Sequence, residues 1–322
     1  MIPQLSIIIP VYNASRYIER CVTSLMEQTL QAGVEFVFVD DGSTDSSVDM
    51  IHDVTNKYPE RKDQVRIIQN EGNRGVYLTR KRGIEEARGQ YIGWCDSDDW
   101  VDRDYYERLL SATYRGTIDI VVCDYTNIWE DHSAVRHYDI QATPLDCIEQ
   151  NYCRNSLPME LVIHLFLREL ILQAFDQIYP TGVGEDTYSI IHAYILSRSI
   201  CQVATAGYYY DHRNDTSIIN TRGFEMKDWL PHQYNIERIA RALYTQSEGE
   251  KRFHRSVNSM KYWRKLGYRK AFASEGEFYH TFHECYRDIN VISHTAPGMR
   301  WIVYLLYNIY PLYLLSKKIG IL

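Results

Sequence analysis

Two short clusters of carboxylates follow apolar, β-rich runs in the first third of the chain. Asp40 and Asp41 end the run VEFVFVDD, and Asp96, Asp98 and Asp99 follow the run YIGWC. In an open sheet of parallel strands, ligands bind in the crevice outside the carboxyl ends of the strands. We therefore expect these five carboxylates to converge on one site at a single edge of the sheet.

The tripeptide Asp96-Ser97-Asp98 has the spacing of a site for a hard divalent cation. Its two carboxylates supply the oxygen ligands that such ions prefer. An ion bound there would neutralise charge on a departing phosphate oxygen and so act as a Lewis acid on the leaving group. Taken alone, the same residues are also typical of an acidic turn that caps a helix starting near Asp102.

A second pair of carboxylates, Glu185 and Asp186, follows the glycine-containing segment YPTGVG and precedes a predicted helix. A carboxylate so placed can act as a general base that takes a proton from an attacking hydroxyl. It can equally stabilise the first turn of a helix through the macrodipole. The two residues by themselves leave both interpretations open.

The elements around these residues predict an α/β fold, with a Rossmann-like, mainly parallel sheet flanked by helices. Strands are predicted for the short apolar runs at 5–10, 34–40, 65–69, 91–95 and 118–123. Helices are predicted where apolar residues recur every three to four positions, at 14–30, 44–57, 75–88 and 160–173. A further strand is predicted over 201–210, and only amphipathic helices beyond about residue 223.

Composition excludes several classes of protein. The chain has 322 residues, of which 45% are hydrophobic and 24% charged, as in folded globular proteins. A formal net charge of -7 excludes nucleic acid as a partner. No glycine-rich phosphate loop and no G-x-G-x-x-G follows the first predicted strand, which excludes nucleotidyltransferases and dinucleotide-binding oxidoreductases.

Seven cysteines without C-x-x-C spacing, and an N-terminus without export-signal features, predict a cytoplasmic protein.

The run WIVYLLYNIYPLYLLSKK at 301–318 is apolar, aromatic and interrupted by Pro311. It falls short of the ~20 continuous apolar residues that a spanning helix needs, so a polytopic membrane synthase is excluded. Two interpretations stay open for this run. It is either an interfacial helix on the inner face of the plasma membrane, which would make the protein peripheral, or a helix packed on the protein's own core.

Five motifs occur in a fixed order along the chain: SIIIPVYN, VDDGSTDSS, the run from Asn73 to Gly83, GQYIGWCDSDD and GEDTY. As an ordered set they resemble the family 2 glycosyltransferases of bacterial surface-polysaccharide type, an inverting group with the GT-A fold, over about residues 4–220. The resemblance implies a catalytic domain at 1–222, with a nucleotide-binding half at 1–125 and an acceptor-side half at 126–222. The helical region at 223–322, with its interfacial candidate at 299–318, would be an appendage.

The resemblance implies a nucleotide site at the ends of the first strands. The segment Pro10-Val11-Tyr12-Asn13 would border the nucleotide, and Asp41 would hold a uracil ring. Asp40 either shares that role or bonds its own loop. Gly75 and Arg80 match the family's N-x-G-x-x-x-A-R-N-x-G stretch, whose helix approaches the base and the phosphates, although two neighbouring positions depart from it.

The same resemblance implies a metal and donor site in the second acidic cluster. Asp98 would bind Mn²⁺ or Mg²⁺ directly, and Asp96 would lie at the ribose or reach the ion through water. Ser97 would belong to the donor-binding turn, and Asp99 would contact donor sugar hydroxyls or orient the loop. His212, in the segment YDHR, would add a further metal ligand.

The remaining implied roles concern the diphosphate and the reaction itself. Arg213 would pair with phosphate oxygens and Ser217 would lie with it over the diphosphate, although Asp211 departs from the basic residue often found there. Asp186 would be the general base, with Glu185 beside it.

The resemblance therefore implies an inverting transfer from a UDP-sugar donor to a hydroxyl of a glycan or lipid-linked oligosaccharide. The oligomeric state stays open, a homo-oligomer included. The alternative function from a different class is a catalytically silent subunit of the same fold that binds glycans or serves assembly.

Overall fold

The computed structural model describes residues 3–140, 143–144, 146–147, 158–177 and 185–214. The chain divides into two compact units, one made of Met1–Pro144 and Pro158–Phe224 and the other of Leu145–Leu157 and Glu225–Leu322. All the helices and strands given below belong to the first unit. The predicted C-terminal helices, including the run at 301–318, lie outside the described residues.

Eleven strands form within the described residues: β1 (Leu5–Val11), β2 (Val34–Asp40), β3 (Val65–Gln69), β4 (Tyr91–Trp94), β5 (Trp100–Val101), β6 (Ile120–Cys123), β7 (Tyr125–Ile128), β8 (Ser133–Arg136), β9 (His164–Leu167), β10 (Ile200–Val203) and β11 (Tyr208–Asp211). The α-helices are α1 (Ile18–Met26), α2 (Ser47–Thr55), α3 (Val76–Glu86), α4 (Tyr105–Ser111), α5 (Arg168–Asp176) and α6 (Glu185–Leu196). Two 3-10 helices cover Pro59–Gln64 and Leu161–Ile163. None of the described helices is both long and apolar enough to span a membrane.

The main sheet has seven strands in the order β10-β6-β9-β4-β1-β2-β3, and all of its neighbours pair in parallel except those of β9. A smaller sheet has the order β5-β11-β7-β8. Every residue of β2 is buried, as expected for a strand covered on both faces. The predicted mainly parallel α/β fold is confirmed.

The carboxyl ends of the central strands reach the same edge of the main sheet. In the parallel register Val11 pairs with Asp40, and Asp40 pairs with Gln69. The ladder continues one step past the strand ends, because Asp41 N–H donates to the Val11 carbonyl and Asn70 N–H donates to the Asp40 carbonyl. The polar residues that follow β1, β2 and β3 are therefore placed side by side by backbone pairing alone.

The helix predicted over 160–173 is only partly correct. Leu161–Ile163 is a 3-10 turn, β9 follows it, and the α-helix begins at Arg168. β9 inserts antiparallel between β4 and β6, with Phe166 opposite both Ile92 and Ile120. A short apolar run such as HLFL fits a buried strand as well as a buried helix, and its place between two strands decided the outcome.

The strand predicted over 201–210 is in fact two strands in different sheets. β10 lies at the edge of the main sheet, whereas β11 joins the smaller sheet between β5 and β7. The polar segment after residue 125, for which no element was predicted, supplies β7 and β8. The smaller sheet is therefore the part of this fold that its sequence pattern did not indicate.

Helix α1 is anchored at its C-terminal end by a buried arginine. Arg61 donates from Nε to the Met26 carbonyl at 3.1 Å and from Nη1 to the Leu30 carbonyl at 2.7 Å, and Nη2 bonds the Gln28 carbonyl. The carbonyls at a helix C-terminus lack partners within the helix, and a cation there also favours the macrodipole. This contact fixes the position of α1, which carries residues that reach the site.

We predict that Gly89→Ala lowers the free energy of unfolding by about 1–3 kcal/mol, the usual cost of overpacking a tight site. A Cβ on Gly89 would lie 2.5 Å from the Ser6 amide nitrogen and 2.7 Å from the Leu5 carbonyl carbon, so the backbone of β1 must shift. Gly72→Ala is the matched control, because its Cβ would meet no heavy atom within 4 Å. Equal urea midpoints for the two variants would contradict the prediction.

Candidate active site

The loops after β1 and β2 are joined by reciprocal hydrogen bonds. Asn13 N–H donates to Ser43 Oγ at 3.0 Å, and Thr44 N–H donates to Asn13 Oδ1 at 2.9 Å. Asn13 has a φ of 48°, a left-handed conformation that asparagine tolerates better than most residues. Beside it, Val11 is buried and the Tyr12 side chain is 48% exposed. The predicted nucleotide-bordering segment therefore presents one open aromatic ring on a fixed loop.

Asp41 ties the loop after β3 to this edge. Its Oδ1 accepts hydrogen bonds from Asn70 Nδ2 at 2.7 Å and from Arg74 N–H at 2.9 Å, and its Oδ2 accepts Gly75 N–H at 2.8 Å. The carboxylate is buried. A carboxylate offers about four lone-pair sites, so one remains for a further donor. Binding of uracil by Asp41 stays a prediction beside this structural role.

Asp40 bonds its own surroundings. Its Oδ1 accepts Ser43 N–H at 3.1 Å and its Oδ2 accepts Gln69 Nε2 at 3.4 Å, and the side chain is buried. Of the two interpretations of Asp40, the loop-bonding one describes what the structure contains.

Arg80 connects the acidic turn after β4 with the carboxylates at the start of α6. Its buried guanidinium donates from Nη2 to Asp96 Oδ1 at 2.8 Å and from Nη1 to Glu185 Oε1 at 2.7 Å. Asp186 Oδ2 lies 3.9 Å from the same Nη1. Arg80 and Glu185 are 105 residues apart in the sequence. One side chain of α3 therefore contacts both the turn after β4 and the start of α6. Arg80 is therefore a buried part of the site and not a solvated charge on the surface of α3.

The electrostatics of this network follow from burial and mutual proximity. Burial alone would lower the pKa of Arg80, but the charges of Asp96, Glu185 and Asp186 outweigh it and raise that pKa. Burial raises the pKa of Glu185, the negative charge of Asp186 adds to the rise, and Arg80 opposes it. Burial also raises the pKa of Asp186 against the effect of Arg80. Asp186 keeps 38% of its side chain exposed, so it is the carboxylate of the pair that is open to solvent.

Tyr210 gives an independent sign that the clusters share one site. Its pKa is raised first by burial and then by the charges of Asp96, Asp99, Asp98 and Asp186. Charges act this strongly only over short distances. The carboxylates of the turn after β4 and Asp186 of α6 therefore lie close to the same side chain.

The Asp98 carboxylate accepts a hydrogen bond from Asn214 Nδ2 at 2.7 Å, and burial followed by the charge of Asp96 raises the pKa of Asp98. Asp99 instead points into the protein. Its Oδ2 accepts the Tyr208 hydroxyl at 2.6 Å and its Oδ1 accepts Asp211 N–H at 2.8 Å. Asp99 is buried, so it orients the turn against β11, as one of the two sequence interpretations holds.

Arg213 forms a bidentate pair with Asp211, through Nε and Nη2 at 2.7 Å each. Arg20 of α1 donates to the same carboxylate. Burial would raise the pKa of Asp211, but hydrogen bonds from Arg213 and Arg20 lower it to about 2. The acidic residue that departs from the family pattern therefore holds two cations at the site.

The structure does not bring His212 together with Asp96 and Asp98. His212 Nε2 lies 2.6 Å from Asn127 Oδ1, and its ring stacks on Trp129 with centroids 4.7 Å apart. Across the part of the chain that the structure describes, no three histidine, cysteine or acidic side chains are grouped as metal ligands. Hydrogen bonding and stacking keep this ring on the smaller sheet. Ser217 and the glycine-containing loop before Glu185 lie outside the described residues.

Sequence reasoning missed four residues that shape the site: Arg20, Asn70, Tyr208 and Asn214. Each acts through a partner far away in the sequence, so spacing carries no signal for it. For Arg20 alone a signal existed in Asp211, because an acidic residue where the family pattern has a basic one implies a neighbouring cation.

The architecture is shared with solved structures. The S. aureus TarS fragment 1-349 in complex with UDP-GlcNAc superposes with a TM-score of 0.72 at 17% identity, over 94% of this chain and 87% of that one. The Pyrobaculum calidifontis mannosyltransferase PcManGT, in complex with GDP-Man and Mn²⁺, gives 0.54 at 15% identity, over 97% of this chain and 83% of that one. At these identities the likeness concerns the fold, and it defines the first unit as a GT-A domain.

Sequence comparison defines the family. Residues 6–162 match the model described as Glycosyl transferase family 2. The Bacillus subtilis protein described as putative glycosyltransferase EpsH is 31% identical over 215 residues, which are 65% of this chain and 60% of that protein. Residues 6–162 therefore form a family 2 glycosyltransferase domain, and the chain spans less than two thirds of that relative's length.

Removing the Arg80 cation is predicted to destabilise the protein strongly. Arg80→Met leaves Asp96 and Glu185 without their partner and should lower the free energy of unfolding by about 3–5 kcal/mol at pH 8, as for other broken buried pairs. Lys81→Met, which breaks a partly exposed pair with Asp176, is the control and should cost less than about 1 kcal/mol. Chemical denaturation of both variants measures the difference.

The loss of stability in Arg80→Met is predicted to depend on pH. Without Arg80, the folded-state pKa values of the buried carboxylates rise above their unfolded values of about 4. Such groups contribute stability below the unfolded pKa, and this stability is lost as the pH rises. The deficit of Arg80→Met should therefore be smaller at pH 5 than at pH 8, and an equal or larger deficit at pH 5 would contradict this account.

Proposed function

We propose that this protein is an inverting glycosyltransferase that transfers a sugar from a UDP-sugar to a hydroxyl of a glycan or lipid-linked acceptor. Asp186 is the general base, and a divalent ion, Mn²⁺ or Mg²⁺, assists at the diphosphate. The observation that carries the proposal is the Arg80 bridge. The Arg80 guanidinium contacts Asp96, on the side proposed for the donor. The same guanidinium contacts Glu185 and lies near Asp186, on the side proposed for the acceptor.

The proposed reaction is a single displacement. The acceptor oxygen forms a bond to the anomeric carbon while the bond from that carbon to the diphosphate oxygen breaks, and the diphosphate leaves with the electron pair. Asp186 takes the proton of the attacking hydroxyl. Burial raises the pKa of Asp186, which makes it a better proton acceptor than an exposed aspartate. Glu185, buried against Arg80, supports the position of Asp186.

The turn after β4 fits a divalent ion bound together with a diphosphate. Asp98 and Asp96 would hold the ion, since both are oxygen donors and Asp96 keeps a quarter of its side chain exposed. Burial raises the pKa of Asp98 and the charge of Asp96 adds to the rise, an effect that a bound cation would oppose. One or two carboxylates plus substrate phosphates are the usual ligands of Mg²⁺ in such sites. When bound, the ion would neutralise charge on the leaving diphosphate.

The choice of donor nucleotide rests on the loops after β1 to β3. The exposed ring of Tyr12 offers a surface for a base, and Asp41 keeps capacity for one donor such as the uracil N3–H. TarS structures contain UDP or UDP-GlcNAc, whereas PcManGT contains GDP-Man. We favour uridine because a carboxylate accepts the single imide N–H of uracil. Calorimetry with UDP, GDP and CMP, with and without Mn²⁺, tests this choice, and tighter binding of GDP or CMP would contradict it.

The base assignment is tested by Asp186→Asn. This isosteric change removes the proton acceptor, so kcat should fall by about 10²–10⁴-fold, the usual contribution of a general base. The affinity for UDP should stay within a factor of about two, because the affected step follows donor binding. Sugar transfer is followed by release of UDP, and UDP affinity by calorimetry.

Asp176→Asn is the matched control, because Asp176 is a half-exposed aspartate at the end of α5 that pairs with Lys81. It should retain wild-type kcat. Full activity in Asp186→Asn would refute the base assignment. A wild-type protein that binds glycans but neither binds nor turns over any sugar nucleotide would instead identify a catalytically silent subunit.

A further inference from the structure

Arg20 connects three elements of the site, although it lies outside every motif singled out in the sequence. Its Nη2 donates to the Asp98 carbonyl at 2.8 Å and to Asp211 Oδ2 at 2.5 Å. Its guanidinium carbon lies 3.7 Å from the centroid of the Trp100 ring. One side chain of α1 therefore contacts the turn after β4, the strand β5 that follows it, and the end of β11.

The turn is held at two successive residues by different partners. Arg20 binds the carbonyl of Asp98, and β11 binds the side chain of Asp99 through the Asp211 N–H. Within the turn, Asp99 N–H donates to the Asp96 carbonyl at 3.1 Å. The peptide plane between Asp98 and Asp99 is thus constrained from both sides, and the direction of the Asp98 side chain depends on that plane.

Arg20 also constrains a cation of the site. Asp211 receives Arg20 on one oxygen and the bidentate guanidinium of Arg213 on both. The side chains of Arg20 and Arg213 remain 37% and 34% exposed, whereas Asp211 between them is buried. Its formal charge is positive, because two cations share one carboxylate.

We infer that Arg20 is a positioning residue that fixes the Asp96–Asp99 turn and the Arg213 guanidinium relative to each other. Asp98 and Arg213 then act on the same diphosphate in a preset geometry. This inference rests on the proposed function for its catalytic consequence, whereas the positioning itself is a property of the metal-free protein. α1 suits the task because Arg61 anchors its other end.

The contacts require an arginine. A planar guanidinium can bond two acceptors in its plane while its face stacks on an aromatic ring, whereas the ammonium of a lysine is a compact point charge. Arg20→Met keeps much of the apolar stem over Trp100 but removes both hydrogen bonds. Arg20→Lys keeps the charge and one donor group, so it should restore part of the function.

The first measurement is hydrogen exchange of the metal-free protein, followed by mass spectrometry of peptides covering 96–101 and 208–213. In Arg20→Met, exchange in both segments should accelerate about 10- to 100-fold, the effect of losing hydrogen bonds made to a charged group. Arg20→Lys should be intermediate, and β1 should be unchanged. Arg103→Met, which alters an exposed arginine near the same turn, is the control and should match the wild type.

The second measurement is kinetic. In Arg20→Met, kcat should fall about 10-fold or more and half-maximal activity should require about 10-fold more Mn²⁺, because misplacement of catalytic groups by even ~1 Å is costly. UDP affinity without metal should stay as in the wild type, since the Asn13 and Asp41 loops are held separately. A residue that only stabilises the fold would lower thermal stability without this split.

The outcomes separate the inference from the proposed function. Unchanged exchange in Arg20→Met overturns the inference, and so does accelerated exchange with wild-type kcat and metal dependence. A wild-type protein that turns over no sugar nucleotide overturns the proposed function, while the exchange comparison still decides whether Arg20 positions the turn. If Arg20→Met fails to fold, the same exchange and kinetic measurements are made on Arg20→Lys, with Arg103→Met as the control.

Discussion

A buried guanidinium facing three carboxylates is the constraint on which the site depends. Arg80 contacts Asp96 after β4 and Glu185 at the start of α6, with Asp186 close by. Burying such charges is costly unless each is paired, so removing the Arg80 cation leaves uncompensated carboxylates in the interior. The turn after β4 and the start of α6 therefore keep a fixed separation. In the proposed reaction, that separation is the one between leaving group and base.

The opposite side of the turn is held by a second cluster of the same kind. Arg20, Asp211 and Arg213 pair across α1 and the end of β11, over the Trp100 ring. Both clusters use an arginine on a helix packed against the sheet, where the backbone is rigid. Geometry held by rigid elements is what catalysis by orientation and preorganised charge requires.

Several acidic residues at this edge accept hydrogen bonds from the backbone. Asp40 and Asp99 are buried and accept backbone N–H groups, and Asp41 accepts two while retaining capacity for one more donor. Tight loops at strand ends leave N–H groups without partners, and short carboxylates satisfy them. An acidic motif at a strand end therefore combines loop construction with chemistry. Asp96, Asp98 and Asp186 are distinguished by their exposure and by the charges around them.

The order of apolar runs and acidic motifs was enough to predict the mainly parallel sheet and the family. It also indicated that the polar residues after the parallel strands lie at one edge, because backbone pairing brings the ends of such strands together. It was not enough for the smaller sheet, for β9, or for the structural roles of Asp40 and Asp99. Nor did it reveal that Arg80 is buried between two carboxylates or that Arg20 reaches Asp98. Those features depend on which distant side chains meet after folding. Local spacing in the chain does not indicate a contact such as that of Arg20 with Asp211, which are 191 residues apart. Only the tertiary structure decides how such charges are paired.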